Sequence, residues 1–171
     1  MRAADCSLRL GPSHEGPSAA RAITGGSFSL SGFIFSKDGK LLLGKNRKGG
    51  VYEGSYLVPG GGIDEGETKE AALYREMMEE TGIDVSRLPI RPLLQSSGEH
   101  EKTLPDTGER VFVKMKFYDY RIDLTQNASE ITLRTDGDWY QPQWFDLDQL
   151  ADIPLSVATR NTLVVTAILP S

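Results

Sequence analysis

The residues best placed to do chemistry are three glutamates, Glu76, Glu79 and Glu80, in one short stretch of the chain. On a helix, their spacing places them within about a 100° arc of one face. Glu76 and Glu80 are like charges one turn apart, which costs an isolated helix roughly 0.2–0.5 kcal/mol. A bound divalent cation would offset that repulsion, so the pattern favours a metal site over an ordinary solvated face.

Glutamate oxygens suit hard cations such as Mg²⁺ or Mn²⁺ rather than zinc. Mg²⁺ usually binds through one or two carboxylates plus substrate phosphates, and it acidifies a bound water. We therefore predict chemistry on a phosphorylated substrate, with Mg²⁺ as the cofactor and Mn²⁺ as a substitute. A single cysteine, Cys6, and two histidines do not provide the ligands of a zinc cluster.

The segments around the glutamates predict a loop followed by a helix. Thr68 is a candidate N-cap, and Gly82 stands where a helix end favours a left-handed residue. The glycines at 60–62 allow the backbone to approach a metal or a phosphate closely, with carbonyls free as ligands. Arg75 follows Glu67 by eight residues and can fold back to form a bidentate pair that braces the loop.

This stretch resembles the Nudix box, G-x5-E-x7-R-E-U-x-E-E-x-G-U, in which U is apolar. The match holds at all nine specified positions, which are Gly61, Glu67, Arg75, Glu76, Met77, Glu79, Glu80, Gly82 and Ile83. Pro59-Gly60 before the box and Trp144-Phe145-Asp146 near the C-terminus are also similar to that family. The resemblance extends in layout from about Ser27 to Leu169, with motif-level specificity at 59–83.

The resemblance implies an α/β (α+β) fold, a Nudix-type α/β/α sandwich with a mixed central β-sheet. It also implies Mg²⁺-dependent hydrolysis of a nucleoside diphosphate linked to another group. By the same resemblance, the metal ligands and catalytic positions are Glu76, Glu79, Glu80 and the carbonyl of Gly60. The implied structural positions of the motif are Gly61, Glu67, Arg75 and Gly82.

Attack of water on phosphorus needs a base, and more than one residue could serve. Glu80 or Glu76 is a candidate within the box. The resemblance also points to an acid in the loop before the tryptophan-containing strand. The candidates outside the box are, in order of preference, Asp138, then Asp136 or Glu130, and then Glu99 and Glu101.

The expected substrate is a ribo- or deoxynucleoside triphosphate, cleaved to the monophosphate and pyrophosphate. Lys45 and Arg47 are candidates to contact its phosphates, and Tyr56 to stack on its base. ADP-ribose, a nucleotide sugar or a dinucleoside polyphosphate remain alternatives, as does a non-catalytic, nucleotide-binding regulatory domain. An isoprenoid diphosphate isomerase of similar fold would need a cysteine in its core, whereas Cys6 lies near the N-terminus.

The order of the elements predicts strands, a helix, strands and a second helix, which favours a mixed sheet between helices. We expect residues 1–26, rich in Gly, Pro, Ser and Ala, to form a flexible extension, and 27–171 to form the Nudix hydrolase domain. The expected strands are 28–35, 40–46, 56–58, 90–96, 111–122 and 139–145, with a helix at 156–169. Residues 98–110 and 123–138 are expected to be polar loops.

The composition is that of an ordinary globular domain, because 39% of the 171 residues are hydrophobic and 25% are charged. The net charge of −5 argues against binding to duplex nucleic acid or to a membrane surface. No apolar run approaches the roughly 18 residues that a membrane span needs. We expect a cytoplasmic protein with a nucleotide as partner. Dimers are common in this family, and the sequence leaves a homodimer open.

Overall fold

A computed structural model describes residues 21–46, 53–103, 106–134 and 139–170. The described residues form seven strands and two α-helices. The strands are β1 (Arg21–Phe35), β2 (Leu41–Asn46), β3 (Tyr56–Leu57), β4 (Gly60–Gly62), β5 (Ile90–Thr103), β6 (Arg110–Asp123) and β7 (Trp139–Phe145). The helices are α1 (Lys69–Thr81) and α2 (Val157–Val165), with short 3-10 helices at Ala128–Glu130 and Leu147–Ala151.

The strands make one mixed sheet in the order β3-β2-β1-β6-β5. β4 pairs with β1, and β7 pairs with β2. β1 and β6 are parallel, and the other strand pairs are antiparallel. The mixed sheet predicted from the order of the elements is confirmed.

Alternating side chains of β1 and β2 enter two separate cores, one on each face of the sheet. One core joins Leu30 and Ile34 to Met77 of α1. The other core joins Phe33 to Leu163 of α2. Because each helix covers one face with its own apolar cluster, the predicted α/β/α sandwich is confirmed.

α1 begins and ends as its local sequence predicts. The Thr68 hydroxyl accepts a hydrogen bond from the Ala71 N–H at 3.1 Å. Gly82 ends the helix at a φ of 75°, and its N–H donates to the Met78 carbonyl at 3.1 Å. This left-handed conformation carries little steric cost only for glycine.

Strand pairing extends further than the sequence pattern predicts. β1 begins at Arg21 rather than near Ser27, because Arg21 to Ile23 pair with β6. Residues 1–20 of the expected extension lie outside the described residues. Most of the expected polar loop at 98–110 is also strand, since β5 continues to Thr103 and β6 starts at Arg110. Main-chain hydrogen bonding in this hairpin satisfies the backbone even where the side chains are polar.

Two shorter segments also differ from the expectation. Residues 60–62, part of the loop predicted before the helix, form strand β4 against Ser29 to Ser31 of β1. The C-terminal helix ends at Val165 rather than Leu169, and Ala167 has a φ of 56° that breaks the helical path. Among the described residues, no helix is long and apolar enough to cross a membrane.

Gly44 offers a test of this packing. A Cβ atom there would lie 2.4–2.8 Å from ring atoms of Trp139, whose indole N–H donates to the Leu57 carbonyl at 3.1 Å. We expect Gly44→Ala to lower the free energy of unfolding by about 1–3 kcal/mol, because a rigid ring must move. Urea unfolding followed by tryptophan fluorescence measures this.

Gly98→Ala is the matched control, since its Cβ would meet nothing closer than the Phe117 ring at 3.7 Å. We expect that variant to stay within roughly 0.5 kcal/mol of the parent. Equal unfolding midpoints and slopes for the Gly44 and Gly98 variants would contradict the packing described.

Candidate active site

The carboxylates of Glu76 and Glu80 both lie against strand β4. The Gly60 N–H donates to Glu80 Oε2 at 2.7 Å. A Cβ at Gly61 would lie 2.4 Å from Glu76 Oε1, so the glutamate occupies space that only glycine leaves open. The structure therefore brings two of the three predicted glutamates from α1 to the glycine strand.

Arg75 ties α1 to the loop that precedes it and to β4. Its Nε and Nη2 donate to the two carboxylate oxygens of Glu67, at 3.0 and 2.9 Å. Nη2 also donates to the Gly62 carbonyl at 3.0 Å. Glu67 in turn accepts from the Asp64 N–H at 3.1 Å. The predicted Arg75–Glu67 bidentate pair is present, and it also holds β4, which the sequence did not indicate.

The same guanidinium partly neutralises the acidic face. Arg75 Nη1 donates to Glu76 Oε1 at 2.6 Å and lies 3.6 Å from Glu79 Oε2. Hydrogen bonding to Arg75 holds the pKa of Glu67 below its usual range, and the same pair raises the pKa of Arg75. Burial raises the pKa of Glu76, because desolvation outweighs the attraction of Arg75.

The oxygen atoms available where α1 meets β4 suit a hard divalent cation. Carboxylate oxygens of Glu76, Glu79 and Glu80 and the carbonyl of Gly60 form an all-oxygen set. Within the described ranges, no three acidic, histidine or cysteine side chains already converge as a metal site. Glu76 is held by Arg75 and Glu80 by a backbone N–H, whereas the Glu79 side chain is 60% exposed. The chemical type of these ligands suits Mg²⁺, and their role as metal ligands stays a prediction.

The predicted substrate contacts are only partly described. Lys45 and Tyr56 are partners on β2 and β3, with Lys45 Nζ 5.0 Å from the centre of the tyrosine ring. Tyr56 also packs edge-on against Phe145, with ring centroids 4.9 Å apart. Arg47 and Asp138 lie outside the described residues, so the structure does not test their predicted roles.

The remaining candidates for the base are dispersed. Glu130 accepts from the Asn127 N–H at 2.7 Å, where it caps a short 3-10 helix. Glu99 and Glu101 lie on β5 rather than in a loop, paired with Lys114 and Phe112. Asp136 lies outside the described residues.

The sequence interpretation missed several contacts of the site, among them those of the Gly62 carbonyl and the Asp64 N–H. The hydrogen bond from the Glu67 N–H to the Asp64 carbonyl, at 3.0 Å, closes a turn over these residues. The sequence Asp64-Glu65-Gly66-Glu67 carries that turn signal, with Gly66 at a φ of 80°. The signal could have placed the Asp64 amide beside the Glu67 carboxylate.

Comparison with known proteins identifies the family of this chain. The sequence matches the family described as the NUDIX domain over residues 28–164. It is 33% identical over 141 residues to the nucleoside triphosphatase NudI of Escherichia fergusonii, covering 80% of this chain and 94% of that protein.

Solved structures show the same fold. The MutT NUDIX hydrolase from Burkholderia pseudomallei aligns with a TM-score of 0.58 and 28% identity, over 81% of this chain and 96% of that one. The E. coli dihydroneopterin triphosphate pyrophosphohydrolase aligns with a TM-score of 0.63 and 19% identity, over 88% and 99%.

The sandwich aligns with the solved structure of a MutT NUDIX hydrolase, and helix α1 carries the three glutamates of the box. With the family match spanning most of the sequence, the chain belongs to the Nudix family and is a Nudix hydrolase. The resemblance noted from residues 59–83 is confirmed.

Because Glu67 must be ionised to pair with Arg75, this pair should stabilise the protein more at neutral pH than in acid. Because the folded-state pKa of Glu67 is lowered, its contribution is present above about pH 4.5, the ordinary glutamate value, and is lost as pH falls through the lowered pKa. We expect Glu67→Gln to be less stable than the parent at pH 7, with the difference shrinking in acid. Urea unfolding across pH 3–7 measures this.

Glu65→Gln, an exposed position in the same loop, is the matched control and should change the free energy of unfolding little. A Glu67→Gln difference that grows as the pH falls would contradict the role of the pair.

Proposed function

We propose that this Nudix hydrolase is a Mg²⁺-dependent pyrophosphohydrolase that cleaves a ribo- or deoxynucleoside triphosphate to the monophosphate and pyrophosphate. The observation that carries the proposal is the placement of Glu76 and Glu80 against the glycine strand β4. The 33% identity to a nucleoside triphosphatase supports a triphosphate as substrate.

In this proposal, Glu76, Glu79, Glu80 and the Gly60 carbonyl hold the metal. A divalent ion bound there supplies neutralisation of phosphate charge and a more acidic water. Arg75 holds the acidic site in place through its direct contact with Glu76 and its bidentate pair with Glu67.

The reaction requires a water oxygen to form a bond to the α-phosphorus while the bond to the bridging oxygen breaks. Glu80, Glu76 or Asp138 takes the proton of the attacking water, and pyrophosphate leaves with the bridging oxygen. Lys45 and Arg47 are proposed to contact phosphate oxygens, and Tyr56 to pack on the nucleoside. A groove of about 710 Å³ beside the box, bordered by residues 61–67 and 27–29, leaves room for the phosphate chain.

The proposed partner is a free nucleotide rather than duplex nucleic acid or a membrane, because the net charge of −5 offers no broad positive field. We propose the cytoplasm as its location.

Removal of one glutamate tests the catalytic proposal. We expect Glu80→Gln to lower kcat on nucleoside triphosphates by at least about 100-fold, because it removes a metal ligand or a base. Glu70→Gln, at an exposed position of the same helix, is the matched control and should retain parental activity. Pyrophosphate release measured with Mg²⁺, with Mn²⁺ and with EDTA gives the readout. A Glu80→Gln variant that hydrolyses nucleoside triphosphates at the parental rate would contradict the proposal.

A substrate panel separates the alternatives. It should contain ribo- and deoxynucleoside triphosphates, ADP-ribose, nucleotide sugars and dinucleoside polyphosphates, with products identified by chromatography. We expect the highest kcat/KM for a triphosphate, with monophosphate and pyrophosphate as products. A higher kcat/KM for another class would move the assignment to that class. Thermal stabilisation by nucleotides without any product would instead favour a regulatory, non-catalytic domain.

A further inference from the structure

A second cavity lies on the α2 face of the sheet, away from the face that α1 covers. It has a volume of about 250 Å³ and lies between β1, β5, β6 and α2. Pockets for whole drug-sized ligands are typically about 300–1,000 Å³, so this one suits a single ring system. Phe117 gives the lining an aromatic wall. The polar residues of the lining include Ser31, Ser96, Asp119 and Asn161.

Asp119 is unusual in this lining because it is an acidic residue that is only 9% exposed. It lies on β6, between β1 and β5. The Thr162 hydroxyl donates to its Oδ2 at 2.6 Å, and the Ser31 hydroxyl also hydrogen-bonds to it. Burial raises its pKa, against the pull of these two hydroxyls. A carboxylate has about four acceptor positions, so two donors leave it able to accept more.

The cavity adjoins the glycine strand that the glutamates contact. Ser31, which lines the cavity, is the pairing partner of Gly60. Val58 also lines the cavity, and the neighbouring Pro59 carbonyl accepts from the Gly32 N–H at 2.9 Å. The cavity is therefore next to the acidic site, because Ser31 of the cavity pairs with Gly60, whose N–H contacts Glu80. A nucleotide whose phosphates lie near Glu76 and Glu80 has this cavity beside it for its base.

We propose that this cavity receives the nucleobase of the substrate, and that Asp119 selects bases with a ring N–H beside a carbonyl, as in guanine, thymine and uracil. The assignment of the cavity to a base rests on the proposed function. It adds a residue that determines specificity and a class of base.

The position of Asp119 explains the selection. The carboxylate can accept the ring N–H, and the hydroxyl of Ser96, on the neighbouring strand β5, can donate to the adjacent carbonyl. Adenine and cytosine present a ring nitrogen lone pair at that place, which faces the carboxylate unfavourably. Phe117 supplies an apolar wall for the ring, and Asn161 lies on α2 at the cavity.

Binding of nucleoside monophosphates to the full-length chain tests the proposal without requiring hydrolysis. We expect calorimetry to show dGMP and dTMP binding at least about tenfold more tightly than dAMP and dCMP, because a mispaired buried polar group is costly. Asp119→Asn should abolish the preference, because its amide can also donate to a ring nitrogen. Asp152→Asn, at an exposed position, is the matched control and should keep it. Equal binding of all four, or a preference that survives Asp119→Asn, would overturn the proposal.

A second pair of variants keeps the test decisive if Asp119→Asn fails to fold. Ala158 lines the cavity from α2, whereas its neighbour Val157 is 81% exposed and does not line it. We expect Ala158→Phe to fill the cavity and to weaken dGMP and dTMP binding at least about tenfold, with Val157→Phe close to the parent. Equal affinities for the two variants would exclude the cavity as the base site.

The two proposals fail in different ways. If no triphosphate is hydrolysed but the base preference and its loss in Asp119→Asn are observed, the cavity assignment stands and the catalytic proposal falls. If triphosphates are hydrolysed with equal kcat/KM for all four bases, and Asp119→Asn leaves these values unchanged, the catalytic proposal stands and the cavity assignment falls.

Discussion

The bidentate contact between Arg75 and Glu67 is the interaction on which the acidic site depends. One guanidinium joins the loop before α1, the carbonyl of Gly62 on β4, and the carboxylate of Glu76. A planar fork with several donors can hold these acceptors together, whereas a lysine ammonium on a flexible stem offers less geometric control. The favourable charge also lets three glutamates share one helical turn.

Close backbone packing then decides where the glutamates point. A side chain at Gly32 would collide with Met77 of α1, and one at Gly61 would collide with Glu76. Glycine at both places lets the helix lie close to β1 and β4, so a carboxylate can reach the Gly60 N–H. The same apolar core that stabilises the α1 face therefore positions the chemistry.

The two faces of the sheet divide the work in the proposals made above. The α1 face holds acidic groups suited to a metal and phosphates, while the α2 face holds a small cavity suited to a base. β1 connects them, because consecutive residues of a strand point to opposite faces. Leu30 and Gly32 face α1, whereas Ser31 lines the cavity next to Asp119. Specificity can therefore change without altering the residues of the Nudix box.

The sequence alone determined the family, the acidic helix with its Thr68 cap, and the Arg75–Glu67 pair, because these depend on residues close together in the chain. Helical periodicity and turn chemistry are local, so spacing reveals them. Only the tertiary structure decided that residues 60–62 form a strand, that the polar stretch at 98–110 is mostly a hairpin, and that Asp119 meets Thr162. Those contacts depend on strand register and helix docking between distant segments, which alternation of residue types alone does not specify.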